Sequence, residues 1–302
     1  MTAVVLMDGG MGQELIRRAT ADPTPAWSAE VMDNQPDLVR AVHLENIRAG
    51  ARVITCNAYS VMPNRLEAVG KVDQFERLQR LACRIALEAR EESGADITVA
   101  GCLSPFVWSY RPGLNPPVAE MLTVYRDVAR IQADYVDVLL CETMGSADEG
   151  KAAATAACET GKPVWVSWTL ADDDSGRIRS GETLAEANAA LQGLPVAARL
   201  VNCSRPETVD LALGDLLALG GPVGAYANGF TGIKSYFTAG TTVEGLDARA
   251  DLGPVQYADF AMRWADRGLS LIGGCCEISP AHIAELNSRL GDAGHNVVRL
   301  PA

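Results

Sequence analysis

Short apolar runs rich in β-branched residues alternate with helical patterns along the whole chain. Each run is four to eight residues long, which is typical of strands buried in a parallel sheet. The predicted strands cover residues 4–7, 53–57, 97–103, 138–143, 163–170, 198–203 and 223–226, and an eighth begins at residue 271.

The segments between these strands predict amphipathic helices. The clearest one places Phe75, Leu78, Ala82, Ile85 and Ala89 at spacings of three and four. Strands that alternate with helices form right-handed crossovers and a parallel sheet. Eight such units favour an α/β fold of the (β/α)8 (TIM) barrel type, formed by a single domain over residues 1–302. An open, doubly wound sheet is the alternative.

The long irregular segments share one position in this pattern. Residues 12–27, 104–117, 171–182 and 229–253 all follow predicted strands, whereas the turns from helix to strand are short. Long loops after the strands open on one face of a barrel, and active sites of such barrels lie on that face.

Composition narrows the class of protein. The chain has 302 residues, of which 48% are hydrophobic, and no apolar run approaches membrane-spanning length. A net charge of −12 argues against nucleic acid and anionic membranes as partners. The start of the chain lacks the basic segment of a signal peptide, so the eight cysteines are expected to be reduced thiols in a cytoplasmic protein.

Three cysteines lie at the predicted strand ends. Cys203 ends the sixth strand, and the adjacent Cys275 and Cys276 follow the eighth, before Ser279 and Pro280 begin a helix. A single strand separates the sixth from the eighth in a barrel, so the three thiols lie within reach of one metal ion. Three thiolates and one open position are typical of a catalytic zinc site.

Other interpretations of the cysteines stay open at this point. Buried cysteines are usually small apolar residues that pack without a ligand. Cys56 and Cys141 also end predicted strands, so a different trio is possible.

Five short motifs follow the predicted strands in order. They are Asp8-Gly9-Gly10, Asn57-Ala58-Tyr59, Glu142-Thr143, Asn202-Cys203 and Gly273-Gly274-Cys275-Cys276. In this set the chain resembles the homocysteine S-methyltransferase family, and the resemblance spans nearly the whole chain. It implies a (β/α)8 barrel that holds Zn²⁺ on Cys203, Cys275 and Cys276.

The resemblance also implies an activity and roles for further residues. A methyl group would pass from a sulfonium or quaternary ammonium donor to homocysteine, giving methionine. Tyr59 and Asn202 are the candidate catalytic residues: Tyr59 near zinc, as a hydrogen-bond donor or in the open position, and Asn202 as the residue that orients the cluster.

Five residues are candidates for substrate binding. The N–H groups of Gly9 and Gly10 would hold the carboxylate of the amino acid, and Glu142 would bind its ammonium group. Asp8 would assist through its main-chain carbonyl. Trp27 would face the cation of the donor.

The methyl donor stays open between S-methylmethionine, S-adenosylmethionine, betaine and similar compounds. The chain ends at Ala302, soon after the eighth helix, without the long extension of the betaine enzymes, which favours the S-methylmethionine type. Alternative functions are methyl transfer to another thiol or selenol, and a zinc- or redox-responsive thiol protein. Oligomeric state is not predicted.

Overall fold

A parallel sheet forms the centre of the computed structural model, which describes residues 3–20, 24, 26–233 and 246–299. Part of the predicted loop 229–253 therefore lies outside the described residues. The strands are β1 (Ala3–Leu6), β2 (Val53–Thr55), β3 (Thr98–Leu103), β4 (Val138–Met144), β5 (Val164–Trp168), β6 (Val196–Asn202), β7 (Val223–Ala227), β8 (Leu271–Gly274) and β9 (Asn296–Val297).

The first eight strands close into a barrel. They pair in parallel from β2 through β8, and β8 pairs with β1. Met7 forms a parallel bridge with Val53, and the N–H of Arg52 donates to the carbonyl of Leu6 at 2.7 Å, so β1 also meets β2. The predicted (β/α)8 barrel is confirmed.

Helices surround this sheet. They are α1 (Met11–Arg18), α2 (Ser28–Asn34), α3 (Pro36–Arg48), α4 (Pro63–Glu67), α5 (Phe75–Ser93), α6 (Val118–Ala133), α7 (Ala147–Cys158), α8 (Leu184–Ala189), α9 (Pro206–Ala218), α10 (Pro254–Arg267) and α11 (Pro280–Asp292). In α5 the predicted stripe is buried at Leu78, Ala82, Ile85 and Ala89 and half-buried at its first member, Phe75. Gly94 ends the helix in the left-handed conformation. Within the described part of the chain, no helix is both long and apolar enough to cross a membrane.

The barrel interior is filled from alternate positions of the strands. Val138 and Leu140 of β4 pack there with Ala198 and Leu200 of β6, and Trp165 of β5 joins the same cluster. A larger cluster lies between the outer face of the sheet and the helices. Apolar residues therefore fill both layers, and the polar side chains of the predicted site lie at the strand ends.

Helix α1 and a ninth strand differ from the sequence-based expectation. The segment 12–27, predicted to be irregular, contains most of α1, a helix of eight residues in which Glu14 pairs with Arg17 and Arg18. A ninth strand of two residues pairs with β1, with Val4 opposite Val297. It is too short to give an apolar pattern.

Candidate metal and substrate site

The ends of β6 and β8 position three cysteines around one point. Cys203 directly follows β6, and Cys275 directly follows β8. The strand between them holds both, because the N–H of Cys203 donates to the carbonyl of Tyr226 at 3.2 Å and the N–H of Cys275 donates to that of Ala227 at 2.8 Å. The prediction that a single strand separates strand six from strand eight is confirmed.

The three sulfur atoms have the spacing of ligands to one metal ion. Cys203 Sγ lies 3.8 Å from Cys276 Sγ, which lies 4.0 Å from Cys275 Sγ, and all three fall within 4.8 Å of one another. Tetrahedral zinc, with Zn–S bonds of about 2.3 Å, separates its sulfur ligands by about 3.8 Å. Among the described residues this is the cluster with that geometry, so the trio with Cys56 or Cys141 is not formed.

The glycine pair after β1 packs directly against the turn that carries the cysteines. A Cβ atom on Gly10 would lie 2.4 Å from the carbonyl oxygen of Cys275, and one on Gly9 would lie 2.3 Å from that of Ile278. The N–H of Gly10 donates to the carbonyl of Ile278 at 2.7 Å, and the N–H of Gly9 donates to Asn46 Oδ1 at 3.0 Å. Both N–H groups therefore donate within the protein, and the predicted contact of Gly9 and Gly10 with a carboxylate stays a prediction.

The cysteine turn leads into α11 as the sequence predicted. Ser279 is the N-cap residue and Pro280 opens the helix. His282 completes the cap, since its Nδ1 atom accepts from the N–H of Ser279 at 3.1 Å. This histidine therefore caps the start of α11 and lies outside the cysteine cluster.

A cavity of about 90 Å³ opens beside the sulfur atoms. Nine of the ten predicted site residues line it: Asp8, Gly9, Gly10, Trp27, Tyr59, Glu142, Cys203, Cys275 and Cys276. The structure thus gathers residues from the ends of β1, β2, β4, β6 and β8 around one space. Their proximity follows from barrel closure, which brings all strand ends to one rim.

The tenth residue, Asn202, is fully buried and is not among the residues that line the cavity. Its Oδ1 accepts from the N–H of Thr143 at 2.9 Å and from the hydroxyl of Ser167 at 2.8 Å, and its Nδ2 donates to Thr143 Oγ1 at 2.8 Å. Thr143 and Cys203 both have positive φ angles, of 61° and 48°. Non-glycine residues keep this conformation only where their surroundings enforce it. The Asn202 amide joins the ends of β4, β5 and β6 at this point.

Two buried carboxyl groups face the cavity. Asp8 accepts from the N–H of Thr55 at 2.8 Å, and Glu142 accepts from the thiol of Cys102 at 2.9 Å. Burial raises the pKa of each carboxyl to about 7, and for Asp8 the nearby Glu142 adds to the rise. The Asp8 carbonyl, expected to assist a ligand, accepts from the N–H of Gly274 at 2.9 Å, and Asp8 is one of the residues that line the cavity.

Aromatic rings form another part of the wall. Trp27 and Tyr59 meet edge to face with ring centroids 6.3 Å apart. The Trp27 ring also packs on Gly12, where a Cβ atom would lie 2.3 Å from it. The hydroxyl of Tyr59 lies 2.8 Å from Ser109 Oγ.

Tyr110 was not among the residues predicted to form the site. This residue lies between β3 and α6, and its hydroxyl is 2.8 Å from Cys203 Sγ. Asn228, after β7, places Nδ2 3.9 Å from the same sulfur. The signal in the sequence was limited to the presence of Tyr110 in a long loop after a strand.

Comparison with known proteins fits this geometry. The profile of the family described as homocysteine S-methyltransferase matches residues 5–290. The chain belongs to this family. Homocysteine S-methyltransferase of Escherichia coli (strain K12) is 30% identical over 95% of both chains. Selenocysteine Se-methyltransferase of Brassica oleracea var. italica is 26% identical and covers 94% of this chain and 88% of its own.

A solved structure shares the fold closely. The homocysteine methyltransferase MmuM from Escherichia coli, in its metallated form, superposes with a TM-score of 0.80 at 28% identity, over 95% of this chain and 96% of that one. The family and the methyltransferase class predicted from the sequence are confirmed by these matches.

Proposed function

We propose that this protein is a zinc-dependent methyltransferase that moves a methyl group from a sulfonium or quaternary ammonium donor to homocysteine, giving methionine. The observation that carries the proposal is the cluster of Cys203, Cys275 and Cys276 sulfur atoms at the spacing of one tetrahedral metal, beside a cavity with two buried carboxyl groups. Family membership supports the reaction class.

An all-sulfur donor set favours zinc over magnesium or calcium, which prefer oxygen ligands. Three cysteines would leave one coordination position for a ligand from the cavity. When bound there, zinc would hold the sulfur of the acceptor as a thiolate at neutral pH. The chain keeps its three sulfur atoms in place through the backbone bonds from β7 and the packing of Gly10 on Cys275.

Two parts of the cavity suit the amino-acid group of homocysteine, one for its carboxylate and one for its ammonium group. Met11 and Gly12, in the first turn of α1, line it, and the N-cap residue Gly10 supplies no side-chain cap. Free N–H groups at a helix N-terminus and the helix dipole suit a carboxylate. Asp8 and Glu142 suit the ammonium group, whose charge would favour their ionised forms.

The donor would be a cation, and the aromatic wall suits one. Trp27 and Tyr59 line the cavity, and an onium group over such a ring would gain a cation–π contact. The leaving group departs neutral and needs no proton, so no general acid is required. The candidate donors are S-methylmethionine, S-adenosylmethionine, betaine and similar onium compounds.

A selenol acceptor is a second candidate. Two of the relatives are named as selenocysteine methyltransferases, at 26% and 27% identity. Competition between homocysteine and selenocysteine for one donor would separate the two acceptors.

The deciding experiment measures zinc per chain together with methionine formation from homocysteine. S-methylmethionine, S-adenosylmethionine, betaine and dimethylsulfoniopropionate are offered in parallel to protein purified under reducing conditions. We expect one zinc per chain and turnover with one donor. Protein that retains zinc without turnover on any donor would refute homocysteine methylation, and protein without zinc would refute the metal site.

A further inference from the structure

Tyr110 contacts the metal-site sulfur from a loop that the proposed reaction does not otherwise use. Its hydroxyl lies 2.8 Å from Cys203 Sγ, and the tyrosine is 7% exposed. Tyr110 has a φ angle of 65° and Cys203 one of 48°. Both residues therefore have left-handed backbone conformations, which non-glycine residues keep only where their surroundings enforce them. The surrounding structure thus holds the two side chains in contact.

The chemistry of the cluster determines the direction of the hydrogen bond. A cysteine that binds a metal is a thiolate and has no proton to give. The phenol hydroxyl of Tyr110 must then donate to Cys203 Sγ. The described contacts of Cys276 Sγ are with the two other sulfur atoms, so Cys203 differs from Cys276 in receiving a hydroxyl donor.

Arg179 strengthens this donor. Its guanidinium lies over the Tyr110 ring, 4.6 Å from the centroid, and pairs with Asp172 at 3.1 Å. A positive charge over the ring draws electron density from the phenol and makes its O–H group a better donor. The Arg179 side chain is 11% exposed, so water screens its charge little, and the paired Asp172 carboxylate offsets only part of that charge.

We propose that Tyr110 is a positioning residue whose hydrogen bond keeps Cys203 a metal ligand and prevents it from becoming a methyl acceptor. The inference rests on the proposed function, because the thiolate of Cys203 could also attack the methyl group of an onium donor held beside the cluster. In that side reaction a bond forms between Cys203 Sγ and the methyl carbon, the bond from that carbon to the onium atom breaks, and the leaving group departs neutral. A hydrogen bond withdraws charge from the Cys203 sulfur and slows this attack.

The first test replaces zinc with Co²⁺ and records the sulfur-to-cobalt charge-transfer band. In Tyr110→Phe the sulfur regains charge, so the band should move to longer wavelength. Tyr125→Phe is the matched control: this buried tyrosine donates to the carbonyl of Ser104, in the same loop, at 2.9 Å. Arg179→Met should shift the band in the same direction by a smaller amount.

The second test incubates each zinc-loaded protein with S-methylmethionine and no acceptor, and locates methylated cysteines by peptide mass. We expect methylation of Cys203 to rise about tenfold in Tyr110→Phe, the effect of losing roughly one charge-assisted hydrogen bond, and to stay at the wild-type level in Tyr125→Phe.

These readouts separate the inference from the proposed function. An unchanged band in Tyr110→Phe, an equal shift in Tyr125→Phe, or no rise in Cys203 methylation would overturn the role of Tyr110, even if homocysteine is methylated. A shifted band and increased methylation of Cys203 in protein that does not methylate homocysteine would support the role of Tyr110 and refute the acceptor.

Discussion

Cys203 and Cys276 bring their sulfur atoms within 3.8 Å although 73 positions separate them in the sequence. The contact exists because β7 lies between β6 and β8, and its carbonyl groups accept from the N–H groups of Cys203 and of Cys275, the residue before Cys276. The cluster is thus formed by the closed barrel and lies at its rim. It follows that removing one ligand should remove the metal without unfolding the barrel.

Cys275→Ala tests this separation. We expect the variant to lose zinc and methyl transfer, since two thiolates do not hold zinc as three do, while its far-UV circular dichroism stays that of the wild type. Zinc per chain and the circular dichroism spectrum are the measurements.

Cys158→Ala is the control for the loss of a thiol. Cys158 is half-buried at the end of α7 and lies outside the metal cluster, so zinc content should stay at the wild-type level. Global unfolding of Cys275→Ala, with Cys158→Ala folded, would instead show that the metal is structural.

The barrel was predictable because each repeat carries its own pattern. The stripe on α5 and the apolar strand β4 both appear in the sequence where the structure has them. Helix α1 was not predictable in this way, because its buried residues include Gln13 and Glu14 beside Leu15, and its charges pair with one another. A period of apolar residues cannot reveal a helix stabilised by buried polar groups.

The site was predictable where a motif follows a strand, and less so elsewhere. Strand ends converge on one rim, which places Glu142 and Cys203 beside the cavity once the barrel is predicted. The position of Tyr110 depends on a loop whose path is set by a positive φ angle and by Arg179 from another loop. Tertiary contacts of this kind leave no local pattern in the sequence.

Gly10→Ala tests the packing of the glycine pair on the cysteine turn. A Cβ atom would lie 2.4 Å from the carbonyl oxygen of Cys275, so the turn must move. We expect a loss of about 1–3 kcal/mol in the free energy of unfolding, typical of overpacking, together with weaker zinc retention against a chelator. Gly291→Ala is the control, because nothing lies within 4 Å of its Cβ position. Equal zinc retention in both variants would contradict the role of Gly10.

The raised pKa values predict how ligand binding depends on pH. Asp8 and Glu142 are neutral at low pH and ionise as the pH rises through about 7. Only the ionised carboxylates attract an ammonium group, so methionine should bind more tightly at about pH 8 than at about pH 5.5. Methionine has no thiol to titrate, and isothermal calorimetry gives its affinity. 4-(Methylthio)butanoate, which lacks the ammonium group, should show no such tightening, and tightening of both ligands alike would refute the assignment.

The same shifts predict the pH dependence of stability without ligand. The folded protein keeps protons on Asp8 and Glu142 that the unfolded chain, with ordinary pKa values of 3.8 and 4.5, has already released. The free energy of unfolding should therefore fall as the pH rises from about 4 to about 7. In Glu142→Gln this decrease should be smaller, as followed by urea denaturation across that range. An identical decrease in wild type and variant would show that the folded state does not raise the pKa of Glu142.

Cys102→Ala tests whether the thiol that donates to Glu142 positions this carboxylate for the acceptor. The Cys102 sulfur lies 2.9 Å from Glu142 Oε1, and its loss removes a donor that favours the ionised carboxylate. We expect KM for homocysteine to rise roughly tenfold, with kcat nearly unchanged, because the carboxylate acts in binding and not in methyl transfer. Cys102→Ser keeps a donor and should restore part of the affinity. Cys83→Ala, an equally buried thiol on α5, controls for lost packing and should leave KM unchanged. If Cys83→Ala raised KM as much as Cys102→Ala, the effect would come from packing, and the contact between Cys102 and Glu142 would have no part in substrate binding.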